Sequence, residues 1–130
     1  MIDRYLFRGK TEISERWVVG DLVQWSGDDM CICEDYNSTE KKQYAVIPET
    51  VGQYTGLKDK NGKKIFEGDI VLDEQSGYNY FIKWFPEYTC FALANKNGHI
   101  EFGCDELEIF LDDLVVSGNI HDNPELLKGE

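Results

Sequence analysis

The chain has 130 residues, 42% hydrophobic and 13% aromatic, enough for the core of one compact domain or two small lobes. Its formal net charge of -12 opposes association with nucleic acid or anionic membranes. No segment approaches the roughly 20 apolar residues of a membrane span, and the N-terminus lacks a secretory signal, so we expect a cytoplasmic protein with reduced cysteines.

Most segments are short, rich in aromatic and β-branched residues and separated by Gly, Asn or Asp, a pattern typical of sheets joined by turns. We therefore predict a mainly β chain. The first two strands should form a hairpin, and a polar loop at 37–42 should separate the next two. Pro48 ends the fourth strand because it cannot donate a ladder hydrogen bond. These four strands are predicted at residues 4–8, 16–25, 30–36 and 43–47.

The best internal boundary follows Pro48, so the chain is predicted to be a single domain, 1–130, with lobes 1–50 and 51–130. Residues after Pro48 are predicted to be irregular as far as Asn61-Gly62. That pair should form a turn, because Asn and Gly accept the positive φ of tight hairpin turns. Residues 63–72 are then predicted to form one strand.

The last part of the chain is predicted to be a β-meander followed by a helical turn. Asn97-Gly98 marks its last hairpin. A short helix is predicted at 106–114, where apolar residues recur at helical spacing. Asn123 should cap one further helical turn that begins at Pro124. The strands of this part are predicted at residues 78–85, 88–95, 99–102 and 115–120.

A Gly-Asp pair occurs twice in similar surroundings, within Trp17–Val23 and Ile65–Val71. Each pair, Gly20-Asp21 and Gly68-Asp69, interrupts a strand pattern, which predicts a bulge or tight bend. The similarity predicts an internal duplication of one small β unit. The expected form is two small half-barrels in tandem, each packed against the other.

The long run from Val51 to Val71, with its closely spaced glycines, resembles the YopX family of phage and prophage proteins. The resemblance extends to Phe7–Lys10 near the start and to Gly118–Leu127 near the end. It implies a mainly β pseudo-barrel fold with internal duplication, assembled into an oligomer. It implies no established activity and supplies no catalytic or binding residues.

The turn around Asn61 carries the densest basic patch of this acidic chain, close in sequence to an aromatic residue that could stack on a base. Such a patch would suit RNA or single-stranded DNA. The alternative is that these lysines only keep the turn solvated. The residues concerned are Tyr54, Lys58, Lys60, Lys63 and Lys64.

The segment 78–85 has large side chains on both faces, so both faces need cover. Core packing explains most of these residues. A subunit interface is the alternative, because aromatic side chains are enriched at interface centres. The candidate interface residues are Tyr80, Phe81, Trp84 and Phe85.

No cofactor, metal site or catalytic residue is predicted. Cys31 and Cys33 are separated by one residue, unlike zinc knuckles, and neither His99 nor His121 is linked by spacing to a thiol. The first hypothesis is a non-enzymatic, homo-oligomeric phage accessory scaffold that binds a host or phage protein. The alternatives are a nucleic-acid-binding module that uses the lysine turn, and an enzyme with an unrecognised acidic or thiol site.

Overall fold

The computed structural model describes residues 5–25, 27, 29–34 and 42–128. The chain is mainly β, as predicted, and built from antiparallel sheets with a short α-helix and short 3-10 turns. The sheets are not closed into a barrel, so the predicted pseudo-barrels are open sheets. The chain divides into two compact units, Met1–Tyr54 and Thr55–Glu130. Part of the predicted third strand and most of the polar loop, residues 35–41, lie outside the described residues.

The first unit is an antiparallel sheet in which β1 pairs with β2 as the predicted hairpin. The order of strands is β4-β3-β2-β1, and the first residues of β5 pair with the free edge of β1. Its strands are β1 (Phe7–Lys10), β2 (Trp17–Gln24), β3 (Met30–Glu34), β4 (Lys42–Val46) and the start of β5 (Gly52–Lys58).

The core of the first unit consists of Val18, Ile32 and Val46, which are almost fully buried. Thr11 forms a β-bridge with Val46, and the Ile47 amide donates to the Lys10 carbonyl oxygen at 2.8 Å, so the sheet must curve. These contacts bring the end of β4 to the end of β1. A 3-10 turn, Pro48–Thr50, then leads into β5.

The second unit contains a five-stranded antiparallel sheet of order β10-β9-β8-β7-β11. The predicted meander is present, but the predicted strand 63–72 is two strands separated by a turn. The strands of this sheet are β7 (Asp69–Asp73), β8 (Asn79–Phe85), β9 (Cys90–Ala94), β10 (Ile100–Phe102) and β11 (Leu114–Asn119); β6 (Lys64–Phe66) lies beside β5 instead.

The predicted short helix is α1 (Cys104–Ile109), followed by a 3-10 turn at Leu111–Asp113. Leu107 on α1 and Leu114 at the start of β11 are buried in the main core of the second unit. This core also contains Ile65, Val71, Ile82 and Leu93. The helix therefore covers one face of the sheet, which explains its apolar positions.

Two local predictions are wrong. Residues 52–58 form β5 and are not irregular; pairing of Gly52 and Gln53 with β1 overrides the low strand propensity of the glycines. Asn123 precedes the 3-10 turn Pro124–Leu127, but its side chain does not cap that turn. Its Oδ1 instead accepts a hydrogen bond from the Asn119 amide at 3.2 Å.

The two Gly-Asp pairs differ in conformation. β2 continues through Gly20-Asp21, where its pairing changes from β1 to β3. A Cβ at Gly20 would lie 2.1 Å from the Cys33 carbonyl oxygen, so glycine is needed for the close approach of a neighbouring backbone.

The second pair forms the predicted turn. Gly68 has a φ of 90°, which favours glycine, and lies between β6 and β7. The Gly68 amide donates to the Ile82 carbonyl oxygen at 2.9 Å. Asp69 is buried and its Oδ2 accepts the Phe66 amide at 2.7 Å, which closes the turn.

Candidate functional site

The candidate interface residues on β8 lie on both faces of the sheet, and most of their surface is used within the second unit. Tyr80 packs on the main core, and its ring meets Phe102 edge-on at 5.5 Å between centroids. Phe81 and the buried Phe85 pack with alanines of β9 in a second cluster. Trp84 differs: it contacts the Phe91 ring at 5.0 Å yet remains 41% exposed.

Trp84 lines an open groove at the end of β8. A cavity of about 450 Å³ lies between the β8–β9 turn and the β9–β10 hairpin. A smaller cavity of about 220 Å³ shares Tyr88 and Ile100 with it. We call the two together the edge groove. The lining of the edge groove includes Lys83, Trp84, Tyr88, Ile100, Asp105 and Glu106.

Two turns position the apolar side chains of the edge groove. The β8–β9 turn is closed by the Tyr88 amide, which donates to the Phe85 carbonyl oxygen at 3.1 Å. In the β9–β10 hairpin, the Asn95 side-chain oxygen accepts the amides of Asn97 and His99 at 2.9 and 3.2 Å. This second turn fixes where Ile100 begins β10.

Sequence reasoning missed Tyr88 and Ile100, which are 60% and 38% exposed. The signal for Tyr88 was its place just after Pro86, where a turn exposes side chains. The signal for Ile100 was weaker, because its exposure depends on the end of a sheet. A β-bulge between Ile100 and Phe102 turns Phe102 towards the core and leaves Ile100 on the other face.

Acidic side chains border the edge groove. Asp105 and Glu106 are exposed beside the smaller cavity, and Glu87 is exposed beside the larger one. Lys83 is the basic side chain of the lining, and its ammonium is engaged: Nζ donates to the Gly98 carbonyl oxygen at 3.1 Å and lies 5.2 Å from the centroid of the Phe85 ring. The groove therefore presents apolar surface with a mainly acidic border.

The lysine turn lacks the predicted stacking surface. Tyr54 is only 3% exposed, so its ring is not available to a nucleobase. Lys60 donates to the Glu74 carboxylate, and this hydrogen bond raises the pKa of the Lys60 ammonium. Lys58 and Lys63 are exposed, whereas Lys64 is half-buried. The structure thus leaves a smaller basic patch than the sequence indicated.

Asp59, in the same turn, has a structural role that the sequence did not reveal. Its side chain is 6% exposed and accepts the amides of Asn61 and Lys63 at 2.9 Å and of Val116 at 3.0 Å. Burial alone would raise the pKa of Asp59. The three backbone donors and the Lys63 charge outweigh burial, so the pKa lies below its usual value. Asp59 therefore joins the turn to β11.

Among the described residues, no group of three or more His, Cys, Asp or Glu side chains is placed to hold a metal ion. Cys31, Cys33 and Cys90 are not in disulfides, and Trp25 Nε1 donates to Cys31 Sγ at 3.3 Å. In the same part of the chain, none of the helices has the length and apolar character that crossing a membrane requires.

The fold and the edge groove define the class of this protein. It is a mainly β protein with two compact antiparallel units, and the edge groove lies at the end of a sheet in the second unit. The chain belongs to the YopX family, whose model, described as YopX protein, matches residues 6–128. It is also similar in fold to protein EF1440 from Enterococcus faecalis, a crystal structure, with a TM-score of 0.59 and 22% identity. That match covers 94% of this chain and 96% of the other. No curated protein matches this chain.

Proposed function

We propose that this protein is a non-enzymatic, self-associating β scaffold that acts by binding a protein partner. The observation that carries the proposal is the edge groove, where Trp84, Tyr88 and Ile100 expose large apolar surfaces. Trp and Tyr are the residue types that most often dominate binding energy at protein interfaces, because they bury much area at low entropic cost. Large apolar side chains exposed together on a strongly charged protein are typical of a protein-binding site.

The non-enzymatic part of the proposal rests on how the buried carboxylates are used. Asp59 and Asp69 accept backbone amides and hold turns in place. The groove itself is open. Trp84, Tyr88 and Ile100 supply apolar surface, and the charged or titratable lining residues are Lys83, Glu87, Cys90, His99, Asp105 and Glu106. Such a surface is suited to recognition more than to proton transfer.

The biological setting of the proposal comes from the family. The resemblance to phage and prophage proteins supports an origin in phages or integrated elements, so the proposed location is the cytoplasm of a bacterial host. The proposed partner is a host or phage protein. Self-association would present several grooves at once and would strengthen weak individual contacts.

Affinity capture from a bacterial lysate tests the proposal. The tagged protein should retain a defined protein whether or not nuclease is added. The double variant Trp84→Ala, Tyr88→Ala should lose that protein. Ile13→Ala is the matched control, because Ile13 is 97% exposed and belongs to the first unit. Unchanged circular dichroism and melting curves establish that each variant is folded.

Two outcomes would contradict the scaffold. Retention of the same proteins by the double variant would remove the groove from the function. The second outcome is that nuclease abolishes capture and that the double variant Lys58→Ser, Lys63→Ser captures less material. That result would favour the nucleic-acid hypothesis.

A further inference from the structure

β10 is one of the two edge strands of the five-stranded sheet, and no strand of the described residues lies beyond it in the sheet order. The Asn95 amide donates to the His99 carbonyl oxygen at 2.8 Å, so His99 directs its carbonyl group towards β9. The next pair, Ala94 and Ile100, is then of the non-hydrogen-bonded kind. In such a pair the N–H and C=O of Ile100 point away from β9, towards the outer edge.

The same edge is flanked by apolar surface. Tyr88 and Ile100 are shared by the two cavities of the edge groove. The smaller cavity also meets Cys90 at the start of β9 and Gly103 just after β10. Because β10 is short, this cavity lies where β9 extends past it. Its volume of about 220 Å³ is large enough for one apolar side chain of a strand laid along the edge.

The charge along this edge favours a basic occupant. Glu101 on β10 and Asp105 and Glu106 just after it are exposed. The ammonium of Lys83 is turned towards the Gly98 carbonyl oxygen. A second copy of a chain with a net charge of -12 would bring like charges together at this edge, whereas a basic segment would be attracted.

We infer that the partner of the edge groove is a basic, extended protein segment that pairs with β10 as an additional strand. Its main chain bonds to Ile100, an apolar side chain enters the cavity beside Tyr88, and Lys or Arg side chains face Asp105 and Glu106. This inference rests on the proposed function, because it names the chemistry of the partner that the groove binds.

A short acetylated peptide of alternating lysine and valine is the probe. Fluorescence anisotropy of the labelled peptide against the full chain should show saturable binding that weakens with salt. A glutamate–valine peptide of equal length should not bind. The decisive control is the lysine–valine peptide N-methylated at alternate residues, which keeps its charge but cannot pair as a strand. We expect it to bind at least about tenfold more weakly.

Variants of the protein test the same contacts from the other side. Ile100→Pro removes the outward N–H without removing a ladder bond, a position at which an edge strand tolerates proline. Ile100→Ala is its match, since it removes the side chain and keeps the N–H. Ile100→Pro should weaken peptide binding about tenfold relative to Ile100→Ala. Asp105→Asn with Glu106→Gln should reduce both the affinity and its salt dependence.

Hydrogen exchange gives a direct readout, because strand addition should slow exchange of the Ile100 amide in the presence of the lysine–valine peptide. Equal binding of the N-methylated peptide, or unchanged exchange at Ile100, would overturn strand addition. A captured protein that depends on Trp84 and Tyr88 but not on the Ile100 amide would leave the scaffold standing and overturn this inference alone. A captured protein lost in Ile100→Pro and kept in Ile100→Ala would support both.

Discussion

Asp59 shows how one buried carboxylate can connect distant parts of a unit. Its two oxygens together accept three backbone amides, two from its own turn and one from Val116 on β11. The carboxylate is an acceptor only, which suits a site surrounded by donors. Asparagine has the same shape as aspartate, but its side chain would place an NH₂ group against one of these backbone donors.

The first prediction concerns Asp59→Asn and pH. Because the pKa of Asp59 is lowered in the folded state, its stabilising contribution is present above the unfolded pKa of about 3.9 and is lost as pH falls through the folded pKa. The variant should be less stable than the wild type by about 1–3 kcal/mol at neutral pH. That difference should shrink on acidification. Urea denaturation at several pH values measures it.

Glu87→Gln is the control for this prediction, since Glu87 is exposed in the β8–β9 turn. Its substitution should leave the free energy of unfolding nearly unchanged at neutral pH. A stability difference for Asp59→Asn that is independent of pH would show that charge plays no part in the contact.

The second prediction separates two reasons for glycine. Gly20→Ala would place a Cβ against the Cys33 backbone, which cannot move without disturbing β3. Gly68→Ala has room, with the nearest atom 3.6 Å away, but must adopt a φ of 90°. We expect losses of about 1–3 kcal/mol for the first and about 1–2 kcal/mol for the second.

Thermal unfolding measures both losses, with Gly103→Ala as the control. Gly103 has a φ of -71° and an open surrounding, so alanine there should change stability little. A melting temperature for Gly20→Ala equal to that of Gly103→Ala would refute the close approach of β2 and β3.

At the scale of elements, the similar Gly-Asp segments form different structures, a continuous strand at 17–24 and a turn between β6 and β7. The third prediction therefore compares Asp69→Ala with Asp21→Ala. Asp69 is buried and bonds to the Phe66 amide, so its loss should cost about 1–3 kcal/mol. Asp21 is half-buried within β2, and its loss should cost less.

Chemical denaturation of the two variants provides the measurement. Equal losses at both positions would mean that Asp21 makes a contact as important as that of Asp69. Such a result would restore the equivalence of the two segments that the sequence indicated.

At the scale of the whole molecule, the net charge of -12 acts on every association of the protein. Like charges repel across a contact between copies, and salt screens this repulsion. The fourth prediction is that the proposed self-association strengthens as NaCl is raised from about 50 mM to about 500 mM, where the Debye length becomes much shorter.

Sedimentation velocity at several salt concentrations checks this prediction, with the monomer mass of 15.0 kDa as the reference. Binding of the basic peptide should show the opposite trend and weaken with salt. A monomer at every salt and protein concentration would contradict self-association and leave partner binding to be judged by capture.

The sequence by itself determined the β class, the meander and the local turns. Asn61-Gly62 and Asn97-Gly98 predicted turns correctly, and Gly62 and Gly98 have φ angles of 80° and 81°. The run from Val51 to Val71 also indicated the family. These features depend on neighbours in the chain, and the residue type alone predicts the backbone preferences of those neighbours.

Only the tertiary structure decided which side chains meet water and which meet each other. Tyr54 was predicted to be a surface for stacking and is buried, whereas Tyr88 and Ile100 were missed and are exposed. The edge groove forms where two turns and the end of a sheet come together. Burial is set by pairing between residues far apart in the chain, and local propensity does not predict that pairing.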